Sequence, residues 1–212
     1  MKTPLFLLLF VSHSVYCQNL LPEGSFEHTA ARKPSEVIVS GERFFYFPFD
    51  NKMEWKYVRP GYYLYSDSST KFKCSGGSNC YLLLTYNSIN REKLIYNNTS
   101  KIYIDLAQPI DSGFHYRIDA DIFIYGNNEQ LTFSFDTMFS YNQIQNIKLD
   151  LKKFDKRKWI HVTLNFTANF RHNFLFVGEI HGSQDYQFMR RRLKKKSKNS
   201  YVILDNIEIH KL

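Results

Sequence analysis

The chain has 212 residues, 28 Lys and Arg against 20 Asp and Glu, a formal net charge of +8, and 17% aromatic residues. Seven of the positive charges, Arg190, Arg191, Arg192, Lys194, Lys195, Lys196 and Lys198, lie within nine residues, which leaves the rest nearly neutral and excludes a broadly basic nucleic-acid-binding surface. No apolar run reaches the roughly 20 residues that a membrane-spanning helix requires.

Residues 1–17 read as a secretory signal peptide, with Lys2, an apolar stretch from Leu5 to Val11, and polar Ser12-His13-Ser14 before Val15-Tyr16-Cys17-Gln18. Cleavage after Cys17 would leave residues 18–212 as one exported domain. In a rival reading Cys17 is acylated, although a lipoprotein signal prefers a small residue where Tyr16 stands. The mature chain is expected to be secreted, periplasmic or attached to the cell surface. It keeps Cys74 and Cys80, which flank the flexible Ser75-Gly76-Gly77-Ser78-Asn79. In an oxidising compartment this spacing predicts a local disulfide, with two free thiols or a cysteine metal site as the alternatives.

Strands are expected in the first half at Val37 to Ser40, Arg43 to Phe47, Tyr62 to Tyr65, Tyr81 to Tyr86 and Lys101 to Leu106. The clearest follows. In Phe114 to Tyr125, Phe114, Tyr116, Ile118, Ala120, Ile122 and Ile124 share one face, while His115, Arg117, Asp119 and Asp121 share the other. After the turn signal Gly126-Asn127-Asn128, Leu131 to Phe135 alternates in the same way, and the two segments are expected to pair as a hairpin. Ile147 to Leu151, Trp159 to Ala168, Phe174 to Ile180 and Tyr201 to Ile209 complete the series. β-Branched and aromatic residues dominate and no helical period is sustained, so nine to eleven short strands predict an all-β antiparallel sandwich or jelly roll. The basic stretch 189–200 interrupts the alternation and is expected to be a solvated loop.

The two ends of this domain carry a further signal. An opening Asn19-Leu20-Leu21-Pro22-Glu23-Gly24-Ser25-Phe26-Glu27 and a closing Tyr201-Val202-Ile203-Leu204-Asp205-Asn206-Ile207-Glu208-Ile209 resemble the galactose-binding-like jelly rolls, the fold of many carbohydrate-binding modules. Trp55, Tyr65-Ser66-Asp67, the Cys74 to Cys80 loop before Tyr81-Leu82-Leu83-Leu84, Leu106 to Ile110, Trp159 and Phe174 to Glu179 are similar to modules of secreted bacterial surface proteins. Those modules often precede an OmpA-like domain. Here no such domain is expected after Leu212, and the basic stretch departs from the pattern. The resemblance implies a structural calcium held by Glu27 and Asp205, brought together from the chain ends; the alternative is that both cap turns or bond backbone amides.

The same resemblance, with 15 Tyr and 19 Phe in the chain, implies sugar binding on flat, partly apolar rings beside hydrogen-bonding groups. Tyr62, Tyr65, Tyr86 with Asn87, Tyr125 and Tyr141 lie where strands meet loops and are the candidate glycan contacts. A structural or adhesion protein of the cell envelope, with protein partners and no sugar pocket, is the other reading. The seven histidines make no metal spacing. No nucleophile elbow or phosphate-binding glycine loop occurs, so no enzyme activity is expected. Asp119 and Asp121, roughly 6.6–7 Å apart along one strand face, are the single carboxylate pair a glycosidase could use. The basic cluster Arg190 to Lys198 would attract an acidic polymer through charge alone, having no interleaved aromatics for specific nucleic-acid contact.

Overall fold

Residues whose side chains alternate between oil and water need two layers to hide the apolar side, and the chain supplies them as two antiparallel sheets. The computed structural model describes residues 19–22, 26, 35–39, 42–47, 55–59, 62–66, 70–89, 95–99, 101–126, 130–137, 144–178 and 200–212. They form β1 (Ser35–Val39), β2 (Glu42–Phe47), β3 (Lys56–Arg59), β4 (Tyr62–Tyr65), β5 (Asn79–Ile89), β6 (Ile95–Thr99), β7 (Lys101–Ile110), β8 (His115–Tyr125), β9 (Gln130–Asp136), β10 (Gln145–Asp150), β11 (Trp159–Thr167), β12 (His172–Val177) and β13 (Ser200–Lys211). A 3₁₀ turn at Leu151–Lys153 follows β10. Every expected strand has a counterpart. Two more, β3 and β6, went unseen because Lys-Tyr-Val-Arg and Ile-Tyr-Asn-Asn-Thr are too short and polar to alternate visibly; their ladders come from β7 and β5.

One sheet runs β1-β2-β4-β5-β13-β8-β11, with β6 also on β5, and the other runs β10-β9-β12-β7-β3. Numbering β5 and β7 to β13 from one to eight, the central strands read 1-8-3-6 in the first sheet and 5-4-7-2 in the second. That interleaving, with the chain crossing repeatedly between layers, is a jelly roll.

The inward faces meet in one core. Tyr116, Ile118, Ala120, Ile122 and Ile124 of β8 join Phe133 and Phe135 of β9, Leu175 and Val177 of β12, Ile102 and Ile104 of β7, and Val202, Leu204, Ile207 and Ile209 of β13. Trp55 and Phe26 are fully buried there with their ring centroids 5.0 Å apart, so Trp55 anchors the sandwich.

Two expectations are corrected. β8 and β9 do not form a hairpin, because β8 belongs to the first sheet and β9 to the second. Alternation reveals which side of a strand is buried but not which strand it pairs with. Phe114 shares the parity of Tyr116 yet is 48% exposed, and it lies just before β8 rather than within it.

Candidate functional site

The chain ends meet as their motifs imply. Leu20 N–H donates to Ile209 C=O at 2.8 Å, and Leu20 C=O accepts from Ala107 N–H at 2.9 Å, which lays the opening segment between β13 and β7. Asn19 Oδ1 accepts from Leu21 N–H and Ile209 N–H. At the other motif, β13 changes register against β8: Asp205 opposes Asp121, but Glu208 opposes Asp119. The extra residue is a β-bulge at Asn206, whose φ of 47° asparagine tolerates better than most side chains. Its effect is to switch parity. Val202 and Leu204 face the core before it, and Ile207 and Ile209 face the core after it.

Asp205 is fully buried at this bulge, accepting from Gly76 N–H and Asn206 N–H, each at 2.9 Å. Burial pushes its carboxyl up to about 7, against the pull of amide donors at Gly76, Asn206 and Ser75, while the Asp121 carboxylate adds to the rise. Calcium requires roughly 6–8 oxygens. The groups that hydrogen-bond to Asp205 are backbone amide donors, with the Asp121 carboxylate beside them, and no group of three or more His, Cys, Asp or Glu that could hold a metal occurs among the described residues. Glu27, the expected partner of Asp205, lies outside the described residues.

Above Asp205, the outward faces of β8 and β11 hold a closed polar network. Asp119 accepts from Arg117 Nε at 2.6 Å and from Thr163 Oγ1 at 2.7 Å. Asp121 accepts from Ser75 Oγ at 2.6 Å and Asn206 Nδ2 at 2.9 Å, and its other oxygen lies 2.9 Å from His161 Nδ1. Burial alone would raise both carboxyls. The hydrogen bonds from Thr163 and Arg117, and from Ser75, Asn206 and His161, outweigh it and hold both below the ordinary aspartate value.

Cys74 and Cys80 are joined as a disulfide. The loop it closes straps across the first sheet. Cys74 N–H donates to Ser66 Oγ, Ser66 N–H donates to Ser78 C=O, and the Trp159 indole N–H reaches Lys73 C=O at 2.8 Å. Phe72 packs against Phe44, Phe123 and Trp159, building a second, smaller core outside the sandwich with Leu64, Leu82, Tyr201 and Ile203. Tyr125 borders it, stacked on Tyr201 at 4.6 Å with the Arg157 guanidinium over its ring. Tyr62 and Tyr65 lie on β4 opposite Leu82 and Asn79, and Tyr86 and Asn87 on β5 opposite Asn98 and Asn97. Tyr141 and the basic cluster Arg190 to Lys198 lie outside the described residues.

The exposed large apolar side chains among the described residues are Phe114, Phe170 and Leu212, and all three stand at one end of the sandwich. Their segments are laced together. Ala168 N–H donates to Phe114 C=O, Gly113 N–H to Ala168 C=O, Leu212 N–H to His115 C=O, and Ser112 Oγ–H to Asn169 C=O. The Lys211 ammonium lies 3.5 Å from the Phe114 ring centroid, and Asp111, Ser112, Asn169 and Arg171, in the same segments, are exposed. The alternation places Phe114 on the apolar face of its strand and does not single out Phe170. The missed signal was position: Phe114 and Phe170 sit beside Ser112-Gly113 and Ala168-Asn169, which are turn sequences.

No family model matches the chain, and no curated protein matches it. Among solved structures it is similar to the K2 cleaved adhesin domain of Lys-gingipain, at 9% identity and a TM-score of 0.49 over 88% of this chain and 95% of that one. It is also similar to the CBM22-1 xylan-binding domain of Paenibacillus barcinonensis Xyn10C, at 9% identity and 0.43 over 86% and 97%. A third is the CBM22-1-GH10 portion of Clostridium thermocellum xylanase 10B complexed with xylohexaose, at 10% identity and 0.44, where 75% of this chain spans only 26% of that one. Likenesses at this level assign neither a family nor a ligand.

Proposed function

We propose that this chain is a non-catalytic, exported module that binds carbohydrate at the end of the sandwich bearing Phe114 and Phe170. The observation that carries this reading is the exposure of both rings on hydrogen-bonded segments that also carry the exposed residues Asp111, Ser112, Asn169 and Arg171, with the Lys211 ammonium over one face of Phe114. A pyranose offers an apolar face of C–H groups and a rim of hydroxyls, and a flat ring bordered by charged and amide groups matches both. Loops held by a rigid sandwich suit such a site. The reading of export rests on the leader sequence, and the non-catalytic reading on the absence of a nucleophile elbow from the sequence and on the hydrogen bonds that already engage Asp119 and Asp121.

A glycan array probed with the mature protein tests the proposal, followed by titration of the best ligand into Phe114→Ala and Phe170→Ala. Each variant is expected to weaken binding at least about tenfold, roughly 1.4 kcal/mol, with its melting curve near that of the parent. A folded protein that binds no neutral or acidic glycan would overturn the sugar reading in favour of a protein partner. Binding that ignores both substitutions would show that this end is not the site.

A further inference from the structure

We infer that the protein self-associates through β11, joining the first sheets of two copies edge to edge about a twofold axis. Among the described residues β11 pairs with β8 alone. Ala168 N–H donates to Phe114 C=O, which fixes the phase of that ladder: even-numbered residues bond β8, and odd-numbered residues direct N–H and C=O away from it. The Thr167 carbonyl fits, since it accepts from Gln145 Nε2 at 2.7 Å rather than from β8. The groups left facing outward are the N–H and C=O of Trp159, His161, Thr163 and Asn165, and the N–H of Thr167.

Edges of this kind are templates for pairing, and proteins normally blunt them with charges, prolines or bulges. Of the strands that end the two sheet paths, β1 carries Glu36, β3 carries Lys56 and Arg59, and β10 carries Lys148 and Asp150, whereas β6, which pairs with β5 alone among the described residues, is uncharged but only five residues long. β11, Trp-Ile-His-Val-Thr-Leu-Asn-Phe-Thr, has no Lys, Arg, Asp, Glu or Pro in nine residues, and its register with β8 is unbroken from end to end.

The second copy is the occupant because the edge is complementary to itself. Inverting β11 about Thr163 sets Thr163 against Thr163, His161 against Asn165 and Trp159 against Thr167, so every outward-bonding position meets another, as a twofold interface requires. On the inward side Ile160 would meet Phe166 and Val162 would meet Leu164. That covers Ile160 and Leu164, which a single chain leaves only partly buried. The outward side brings together Trp159, His161, Thr163, Asn165 and Thr167, with no Lys, Arg, Asp or Glu and with His161 opposite Asn165 rather than itself.

Sedimentation of the mature protein over a concentration series is expected to show its mass doubling, with no sugar present. Asn165→Pro removes an outward N–H and leaves the bonds to β8 in place; it is expected to melt near the parent and sediment as a single chain. Amide hydrogen exchange on the parent provides the second readout. The amides of His161, Thr163 and Asn165 should be protected in concentrated samples and exchange on dilution, while those of Ile160, Val162, Leu164 and Phe166 stay protected throughout. A parent that remains a single chain at every concentration, a folded Asn165→Pro that still dimerises, or a dimer whose odd β11 amides exchange freely would each overturn the inference.

Discussion

Asn206 and Gly76 show how closely two backbones can be fitted through single side chains. A Cβ on Gly76 would lie 2.5 Å from Asn206 Nδ2 and 2.8 Å from Oδ1, so a larger residue there would have to displace the Asn206 amide from its bond to Asp121. Gly76→Ala is expected to cost about 1–3 kcal/mol, read as a shift of the denaturant midpoint. Asn206→Val should cost a similar amount, since a β-branched residue resists positive φ and the bond to Asp121 is lost. The raised Asp205 carboxyl predicts a pH dependence of definite sign. Its folded value of about 7 lies above the ordinary 3.8, so its contribution to stability is fully present below the ordinary value and is lost as pH rises through about 7. His172 acts oppositely, because burial lowers it below 6.5 even though Asp136 pulls it up; its contribution is lost as pH falls below 6.5. Subtracting the melting profile of Asp205→Asn from that of the parent isolates the first effect. The difference should decline between about pH 4 and 7, and a flat difference would show that the carboxyl does not titrate there.

The element most dependent on a covalent tie is the strap from Thr70 to Asn79. Its backbone bonds to Ser66, its Phe72 contact and the amides aimed at Asp205 all presuppose the Cys74–Cys80 closure. A short closed loop of this kind is expected to contribute about 2 kcal/mol. Cys80→Ser should therefore lower the denaturant midpoint, and a reductant should lower that of the parent but leave the variant unchanged. Because the strap covers the second core of Phe44, Leu82, Tyr201 and Phe123, its loss should also raise binding of a hydrophobic dye. The strands β13 and β8 at the centre of the first sheet should retain slow amide exchange when the strap is released.

For the whole molecule, charge and fold separate. Neutralising Arg190, Arg191, Arg192, Lys194, Lys195, Lys196 and Lys198 takes the formal net charge from +8 to +1, and is expected to abolish retention on a polyanion column at low salt without moving the melting temperature. Retention that survived the change would locate the anion contact elsewhere. How far such features could be foreseen differs by kind. Alternation in Tyr116 to Ile124, Val162 to Phe166 and Tyr201 to Leu204 identified strands and their buried faces, since a period of two is set by local backbone geometry. The Cys74–Cys80 closure and the meeting of the two end motifs were equally legible, the first from a short spacing and the second from a matched pair of patterns. Tertiary structure alone decided the rest. It placed β8 and β9 in different sheets, re-phased β13 at Asn206, buried Asp205 under Gly76, engaged Asp119 and Asp121 in hydrogen bonds, and left Phe114 and Phe170 in solvent. Most of these depend on residues distant in the chain: sheet partners and the donors that reach a buried carboxylate. A local pattern encodes which side of a strand is apolar, but only the assembled layers determine what lies opposite it.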